Sequence, residues 1–220
     1  MDLTNYVFRL VEPQDHQAII EICKRVYPSE EAYTLEELED HRQVFPQGQF
    51  AAIARDSGAV AGVHFTLRLN MTDFHMDDPW DILTAGGSFL DHNPQGPSLY
   101  GADIMVHPDH QHHGLARVLT EQARLLVVEE KLWRMVGASR LPGYGKHRST
   151  MNITDYVNAV LDQKLFDPVL SIHLKDGWTG VKPIHGYLQH DEESAGWAEV
   201  IQWINPACPP PPQVESRDMA

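Results

Sequence analysis

The chain has 220 residues and a formal charge of −14 at pH 7, from 17 lysines and arginines against 31 aspartates and glutamates. With 42% hydrophobic and 22% charged residues, its composition is that of a folded globular protein and excludes a wholly disordered chain. The acidic balance argues against a nucleic-acid-binding protein, which needs a basic face to displace counterions from phosphates.

Compartment and membrane association are predicted from three further features. Two cysteines, Cys23 and Cys208, are too few for a disulfide scaffold. The first residues lack a basic segment followed by an apolar run, and the aliphatic run 125–128 is too short to cross a bilayer. The sequence therefore predicts a cytoplasmic protein with no membrane partner.

The first 70 residues predict strand, helix, helix, strand and strand. Residues 6–11 alternate as in a strand, and 15–26 have apolar residues at helical spacing with Asp15 as the N-cap. Thr34-Leu-Glu-Glu is a capping-box pattern that predicts a second helix. Residues 50–55 and 60–69 predict two strands of a hairpin that turns at 56–58.

The second part of the chain predicts an α/β crossover. Residues 70–98 predict a long loop with a short element near 80–83, and 99–106 predict a strand. A strong helix is expected over 114–130, with Leu115, Val118, Leu119 and Leu126 on one face and Arg117, Glu121 and Arg124 on the other. Residues 132–138 predict the next strand. The folded domain is placed at 1–206, and the proline-rich residues 207–220 are expected to form a disordered tail.

The most informative segment is the turn Gln111-His112-His113-Gly114-Leu115-Ala116, which follows a strand and opens the strong helix. The first turn of a helix has unpaired N–H groups and a partial positive charge, so a diphosphate fits there even in an acidic protein. Gly114 and Ala116 are small enough to let phosphates approach the backbone, while His112, His113 and Arg117 add positive charge at the rim.

In this context, Gln111, Gly114 and Ala116 match the acetyl-CoA signature [Arg/Gln]-x-x-Gly-x-[Gly/Ala] of the GNAT superfamily of N-acetyltransferases. The resemblance covers most of residues 4–205, with 70–98 as an unusual insertion. Three segments look more specifically like GNAT domains fused to carbon–nitrogen hydrolases: Ser139-Arg-Leu-Pro-Gly-Tyr144, Asp167-Pro-Val-Leu-Ser-Ile-His-Leu and Asp191-Glu-Glu-Ser-Ala-Gly-Trp197.

The resemblance implies an α/β fold with a mixed, largely antiparallel sheet flanked by helices and split like a V between the motif strand and 132–138. It implies acetyl-CoA as co-substrate, with pantetheine along the backbone of Ile104, Met105 and Val106, and an oxyanion donor near Met105 or Val106. The diphosphate would contact the turn Gln111, His112, His113, Gly114, Leu115 and Ala116, and Ser139 would supply a polar contact.

The resemblance also implies a direct attack of an amine on the thioester, with a donor for the departing thiolate. His173 stands where the family usually has a tyrosine, and Trp178 stands at the following phenylalanine. With a reference pKa of about 6.5, His173 is expected to be partly charged at neutral pH. A surface histidine on a short helix is the alternative reading, and Tyr144, Tyr156 or Tyr187 could replace it as the donor.

Two residues of the motif strand are candidates for the base and for the acceptor side. Strict alternation places Asp103 opposite Ala102 and Ile104, away from the cofactor, and gives Tyr100 the parity of Ile104 and Val106. Core or ladder roles compete for both residues. The acceptor is expected to be an amine of a small molecule or peptide, and the acidic surface favours a cationic one.

Other readings of the sequence stay open. His107, His110, His112 and His113 lie beside Asp109, but no cysteine or distant carboxylate completes a metal-ligand spacing, so no metal is predicted. A coenzyme-binding regulatory module without catalysis is the main alternative to an enzyme. An exposed edge strand near the C-terminus would also permit a homodimer.

Overall fold

The computed structural model describes residues 3–28, 31–70, 78–188 and 190–210. Within these ranges the strands are β1 (Tyr6–Leu10), β2 (Gln49–Ala54), β3 (Val60–Leu69), β4 (Ser98–Val106), β5 (Arg134–Arg140), β6 (Thr179–His185) and β7 (Trp197–Ile204). The α-helices are α1 (His16–Val26), α2 (Leu35–Val44), α3 (Trp80–Leu83), α4 (Leu115–Glu129), α5 (Ile153–Leu161) and α6 (Leu170–Lys175). None of the described helices is both long and apolar enough to span a membrane.

Local signals explain how the first helices begin. The capping box before α2 is confirmed, since Thr34 Oγ1 accepts from the Glu37 amide at 3.2 Å and the Glu37 carboxylate accepts from the Thr34 amide at 2.7 Å. Asp15 occupies the predicted N-cap position of α1, but its side chain makes no capping hydrogen bond. The Asp15 carboxylate instead accepts from Arg9 at 2.6 and 2.9 Å and from the Glu12 amide at 2.8 Å, so it is not available to the helix.

The seven strands form one mixed sheet in the order β1-β2-β3-β4-β5-β7-β6. Every neighbouring pair is antiparallel except β4 and β5, which are parallel and joined by the crossover through α4. The parallel pairing is short: it joins Ser98, Leu99 and Tyr100 to residues 134–136 and then stops, although both strands continue. The predicted mixed, largely antiparallel sheet with a V-shaped split is confirmed.

Each face of the sheet is covered by helices and has its own core. One core contains residues of α1, α2 and α3, such as Ile19, Leu38 and Leu83. The opposite core contains residues of α4, α5 and α6, such as Leu119 and Tyr156. The sheet therefore separates two hydrophobic cores, and the split between β4 and β5 opens between them.

The prediction that Arg124 lies on the polar, outer face of α4 is wrong. This residue is only 7% exposed, donates to Glu121 at 2.7 Å, and stacks its guanidinium against the rings of Trp178 and Trp203. Its long side chain thus fills space between α4 and the sheet. Arg117 instead pairs with Asp176, at the end of α6, at 3.6 Å.

A β-bulge interrupts the alternation of β4. Asp103 pairs with Phe65 of β3 and Gly101 pairs with Thr66, so Ala102 is an extra residue. As a result Tyr100 packs in the α1 core, on the same side as Asp103, whereas Ile104 and Val106 pack against the α4 core. The predicted parity of Tyr100 with Ile104 and Val106 is wrong because strict alternation cannot anticipate the bulge.

The predicted insertion is ordered over 78–97 and folds onto the α1 face. His41 of α2 stacks on Phe89 with ring centroids 3.7 Å apart, and its Nε2 contacts the Gly87 carbonyl at 2.6 Å. His92 Nδ1 accepts from the amide of Arg68 in β3 at 3.0 Å. Residues 71–77 of the predicted loop and 211–220 of the predicted tail lie outside the described residues.

Candidate coenzyme cleft

The predicted phosphate loop connects β4 to α4. Gly114 has φ of 82° and is the N-cap of α4, a left-handed conformation that favours glycine. The side chains of Gln111, His112, His113 and Ala116 are exposed around it, while that of Leu115 is buried, so Leu115 can offer only its backbone to a ligand. The unpaired amides of the first turn of α4 therefore open onto solvent between small and polar side chains.

A tyrosine that the sequence did not single out contacts two histidines of this loop. The hydroxyl of Tyr6, the first residue of β1, lies 3.0 Å from His110 Nδ1 and 3.4 Å from His113 Nδ1. Arg25 of α1 contacts His107 Nε2 at 3.1 Å. The loop histidines are thus used to fix the loop, and no set of three His, Cys, Asp or Glu side chains among the described residues is arranged to hold a metal ion.

The cleft begins where β4 and β5 part. Beyond Tyr100, β4 remains paired to β3, with Ile104 opposite His64, Met105 opposite Val63 and Val106 opposite Gly62. Its other edge faces β5, which from Gly137 onward is paired to β7 only. The predicted pantetheine residues 104–106 therefore have one edge occupied and the other edge turned toward the split, directly before the phosphate loop.

On the α6 side of the split, two predicted residues meet. His173 Nδ1 lies 3.0 Å from Oγ of Ser139, a fully buried residue of β5. Burial, with a smaller contribution from the Arg124 charge, lowers the pKa of His173 to about 4. The imidazole is therefore neutral at pH 7, and the predicted partial charge is wrong because α6 lies against the sheet instead of in solvent.

The tyrosines proposed as replacements for His173 are engaged elsewhere. Tyr144 donates to the Met151 carbonyl at 3.3 Å, and Tyr156 donates to Asp167 at 2.8 Å. The Tyr187 hydroxyl lies 2.5 Å from that of Tyr100 on the α1 side of the sheet. Of the four candidates, His173 contacts the predicted site residue Ser139, and Tyr187 contacts the predicted site residue Tyr100.

Glu199 of β7, opposite Ser139 in the register, is a further buried polar group that the sequence did not single out. It is 1% exposed, its Oε2 has no partner among the described residues, and burial raises its pKa to about 7. Its Oε1 lies 2.8 Å from where a Cβ at Gly180 would be, so the carboxyl group is directed toward the bulge in β6. It faces away from the split.

On the α1 side of the split, Asp103 lies at the β4 bulge. Its Oδ1 accepts from the hydroxyl of Tyr27, which follows α1, at 3.0 Å. Burial raises the pKa of Asp103 to about 6, although hydrogen bonding from Tyr27 opposes the shift. Trp80 of α3 donates its indole N–H to the Ala102 carbonyl at 2.9 Å and so covers the bulge. Neither Tyr27 nor Trp80 lies in a motif that the sequence reveals.

Two known proteins are similar in sequence to most of this chain. The chain is 31% identical over 209 residues to the probable hydrolase YhcX of Bacillus subtilis (strain 168), covering 93% of this chain and 40% of that protein. It is 30% identical over 179 residues to the uncharacterized N-acetyltransferase YkwB of the same organism, covering 81% of this chain and 78% of that one. No protein-family profile matches the chain.

Solved structures share the fold. The loading GNATL domain of CurA from Lyngbya majuscula has a TM-score of 0.78 at 19% identity, covering 90% of this chain and 97% of that one. The GNAT-like decarboxylase GphF, in complex with isobutyryl-CoA, has a TM-score of 0.74 at 22% identity, covering 90% and 98%. A split mixed sheet with a glycine-capped helix after its central strand defines the GNAT acyltransferase fold in this chain.

The similarity to YkwB over four-fifths of the chain shows that this protein belongs to the GNAT superfamily. The chain spans 40% of the length of YhcX.

Proposed function

We propose that this chain binds acetyl-CoA, or another acyl-CoA, between β4 and β5 and transfers the acyl group to a primary amine. The observation that carries the proposal is the end of the β4–β5 pairing at Tyr100, which leaves the β5 side of residues 101–106 unpaired up to the loop that leads to the N-terminus of α4. The amide groups of an extended ligand such as pantetheine can pair with the open edge of β4, and its diphosphate can bind the backbone amides at the N-terminus of α4.

The coenzyme residues proposed from the sequence fit these two tasks. Backbone groups of Ile104, Met105 and Val106 would pair with the pantetheine amides, and a backbone N–H near Met105 or Val106 would donate to the developing oxyanion. Gln111 to Ala116 would surround the diphosphate, with the small side chains of Gly114 and Ala116 beside it. This binding mode uses local dipoles, so it is compatible with a net charge of −14.

In the proposed reaction, the amine nitrogen attacks the thioester carbonyl directly. A C–N bond forms, the C–S bond breaks, the nitrogen loses a proton and the sulfur leaves as a thiolate that gains one. Asp103, on the α1 side, is the proposed proton acceptor, because its pKa of about 6 keeps it mostly ionised and still basic near pH 7. Tyr100, hydrogen-bonded to Tyr187, would line the acceptor side instead of reacting.

His173 is the proposed hydrogen-bond donor to the thiolate, which then takes its proton from water, because a neutral imidazole can stabilise the thiolate but does not transfer its remaining N–H proton. The Ser139 hydroxyl can donate either to the Arg140 carbonyl at 3.3 Å or to His173 Nδ1 at 3.0 Å, and the proposed role requires that it donate to His173. The neutral imidazole then has its proton on Nε2 and can hydrogen-bond to the departing sulfur. Ser139 thus acts through His173, which it holds in one tautomer.

A second candidate reaction is decarboxylation of an acyl-CoA that itself carries a carboxylate. It is favoured by the neutral, half-buried His173 beside the buried Ser139, which would hydrogen-bond to the enolate left when the C–C bond breaks and CO₂ departs, before the enolate takes a proton from water. The name of the GphF structure agrees with this chemistry. A third candidate, a coenzyme-binding regulatory module, would use the same cleft without turnover.

One series of measurements separates these candidates. Calorimetric titration with CoA tests binding, and thiol release from acetyl-CoA with a panel of amines tests acyl transfer. Incubation with malonyl-CoA without an amine, followed by detection of acetyl-CoA, tests decarboxylation. Amine-dependent thiol release with a matching amide product supports the proposal. Acetyl-CoA formed from malonyl-CoA without amine turnover would support decarboxylation. Binding of CoA with turnover in neither assay would support the regulatory module, and no binding would end all three.

A further inference from the structure

A small cavity lies where α2 meets β2, on the α1 face of the sheet. Its volume is about 10 Å³, which is room for one water molecule. Two polar residues in its wall, His41 of α2 and Gln49 of β2, are only 1% and 2% exposed, so bulk solvent does not reach them. Much of the remaining wall is apolar, from the side chains of Val11, Leu38, Pro46 and Phe65.

One imidazole nitrogen of His41 lacks a partner. Its Nε2 lies 2.6 Å from the Gly87 carbonyl, and because a carbonyl oxygen can only accept, the ring proton is on Nε2. Burial lowers the pKa of His41 to about 4, so the ring is neutral at pH 7 and Nδ1 has a bare lone pair. This Nδ1 is buried and has no hydrogen-bond partner in the described part of the chain. It is therefore an acceptor that needs a donor.

The side-chain oxygen of Gln49 has the same need. The amide nitrogen of this side chain donates to the carbonyls of Phe45 and Thr66, both at 2.9 Å. These two acceptors use both N–H groups and fix the orientation of the amide, because a flipped amide would place its oxygen against two carbonyl oxygens. Oε1 is buried and has no partner among the residues that the structure describes. It is a second acceptor that needs a donor.

The chemistry of the wall defines what can fill the cavity. A molecule that satisfies both acceptors must supply two hydrogens and occupy the space of one water molecule. A metal cation does not suit the site, because an apolar wall leaves its charge uncompensated and Arg42, which lines the same cavity and is paired with Glu39, is itself cationic. Buried acceptors without a donor cost free energy, and ordered water is their usual partner.

We infer that this cavity holds one resident water molecule, which donates one hydrogen bond to His41 Nδ1 and the other to Gln49 Oε1. The water joins α2 to β2. His41 extends this link to the insertion, through the Gly87 carbonyl and through its stacked partner Phe89. The water is a structural ligand, so the inference goes beyond the proposed acyl transfer and does not depend on it.

The water can be detected directly in the full chain. In NMR spectra, the methyl groups of Leu38 should show cross-peaks to water of opposite sign in NOE and ROE experiments, which is typical of long-lived bound water. Ile19, which is fully buried in the same core but does not line the cavity, should show none. A crystal structure should show a density peak within about 3.2 Å of both acceptors. Long-range ¹H–¹⁵N spectra should show the His41 proton on Nε2 at pH 7.

One variant and a matched control test the energetic role of the water. Val11→Ile adds one methylene to the cavity wall and should expel the water, leaving both acceptors unpaired. We expect the unfolding equilibrium constant to rise by about tenfold and the Leu38 cross-peak to water to disappear. Val7→Ile makes the same change in β1, at a half-buried residue of the same core that does not line the cavity. It should keep the cross-peak and change the constant by less than about threefold.

Several results would overturn the inference. A Val11→Ile protein more stable than the wild type would mean that the cavity is dry, because filling a dry apolar cavity buries surface without breaking hydrogen bonds. A less stable Val11→Ile protein that keeps the Leu38 cross-peak would mean that the water lies elsewhere. Anomalous density in the cavity of crystals grown in rubidium salts would identify a cation instead of water. A proton on His41 Nδ1, or an empty cavity in the crystal, would also contradict the assignment.

Discussion

Replacement of Ala116 by glutamate is the sharpest test of the proposed diphosphate site. Ala116 is the second residue of α4, its side chain is exposed, and it lies beside the amides proposed to bind the coenzyme. A carboxylate near a helix N-terminus stabilises the helix by about 0.3–1 kcal/mol, so Ala116→Glu should fold at least as well as the wild type. The same carboxylate would repel a bound diphosphate.

The size of the effect follows from Coulomb's law. Two unit charges about 4 Å apart interact by about 1 kcal/mol in water and about 4 kcal/mol near a protein surface. Two phosphoryl charges facing one exposed carboxylate should therefore cost about 2–4 kcal/mol, which is a loss of roughly 30- to 1,000-fold in CoA affinity. The uncharged isostere Ala116→Gln keeps the bulk and should lose much less.

Calorimetric titration with CoA at low and high salt measures both contributions. Salt should recover part of the loss in Ala116→Glu and none of the loss in Ala116→Gln, because salt screens only the charge. Urea unfolding of both variants checks that the fold is intact. If Ala116→Glu binds CoA as tightly as Ala116→Gln, the diphosphate does not bind at this helix end.

Three other predictions follow from the described contacts. Gly114→Trp should lose CoA binding and, because Gly114 has φ of 82°, about 1–2 kcal/mol of stability; normal binding in calorimetry would contradict the proposed site. Asp191→Ala should lower the free energy of unfolding in urea by about 1–3 kcal/mol, because it leaves Arg140 without its two-bond partner, and an unchanged value would refute this role. Glu199→Gln should stabilise the chain by about 1–3 kcal/mol at pH 8 and by little at pH 4. The raised pKa of about 7 means that ionisation of Glu199 costs stability as the pH rises from about 4.5 through 7, so equal effects at both pH values would contradict that cause.

Local rules were sufficient for most elements of the fold. The Thr34 capping box, the hairpin turn at 56–58 and the apolar stripe of α4 each depend on residues close together in sequence, and each is present. The glycine-capped turn between β4 and α4 could also be predicted, because a strand, a glycine and an amphipathic helix in succession specify its geometry, whereas its binding of phosphate stays a prediction. The split between β4 and β5 came instead from the family resemblance.

What could not be predicted depends on contacts between distant residues. The bulge at Ala102 changes which side chains share a face of β4. The residues around it do not predict where a strand contains an extra residue. The burial of Arg124 depends on Trp178 and Trp203, more than fifty residues away. The neutral state of His173 and the contacts of Tyr6, Tyr27 and Trp80 likewise arise only when separate elements pack together.

The outer strand β6 has a consequence for how the molecule behaves at high concentration. A bulge lies between Gly180 and Lys182, and Pro183 follows, which has no amide hydrogen to offer. A lysine, a proline and a bulge on a rim strand all hinder growth of a sheet from one molecule to the next. Concentrated samples should therefore resist fibril-like self-association along this rim.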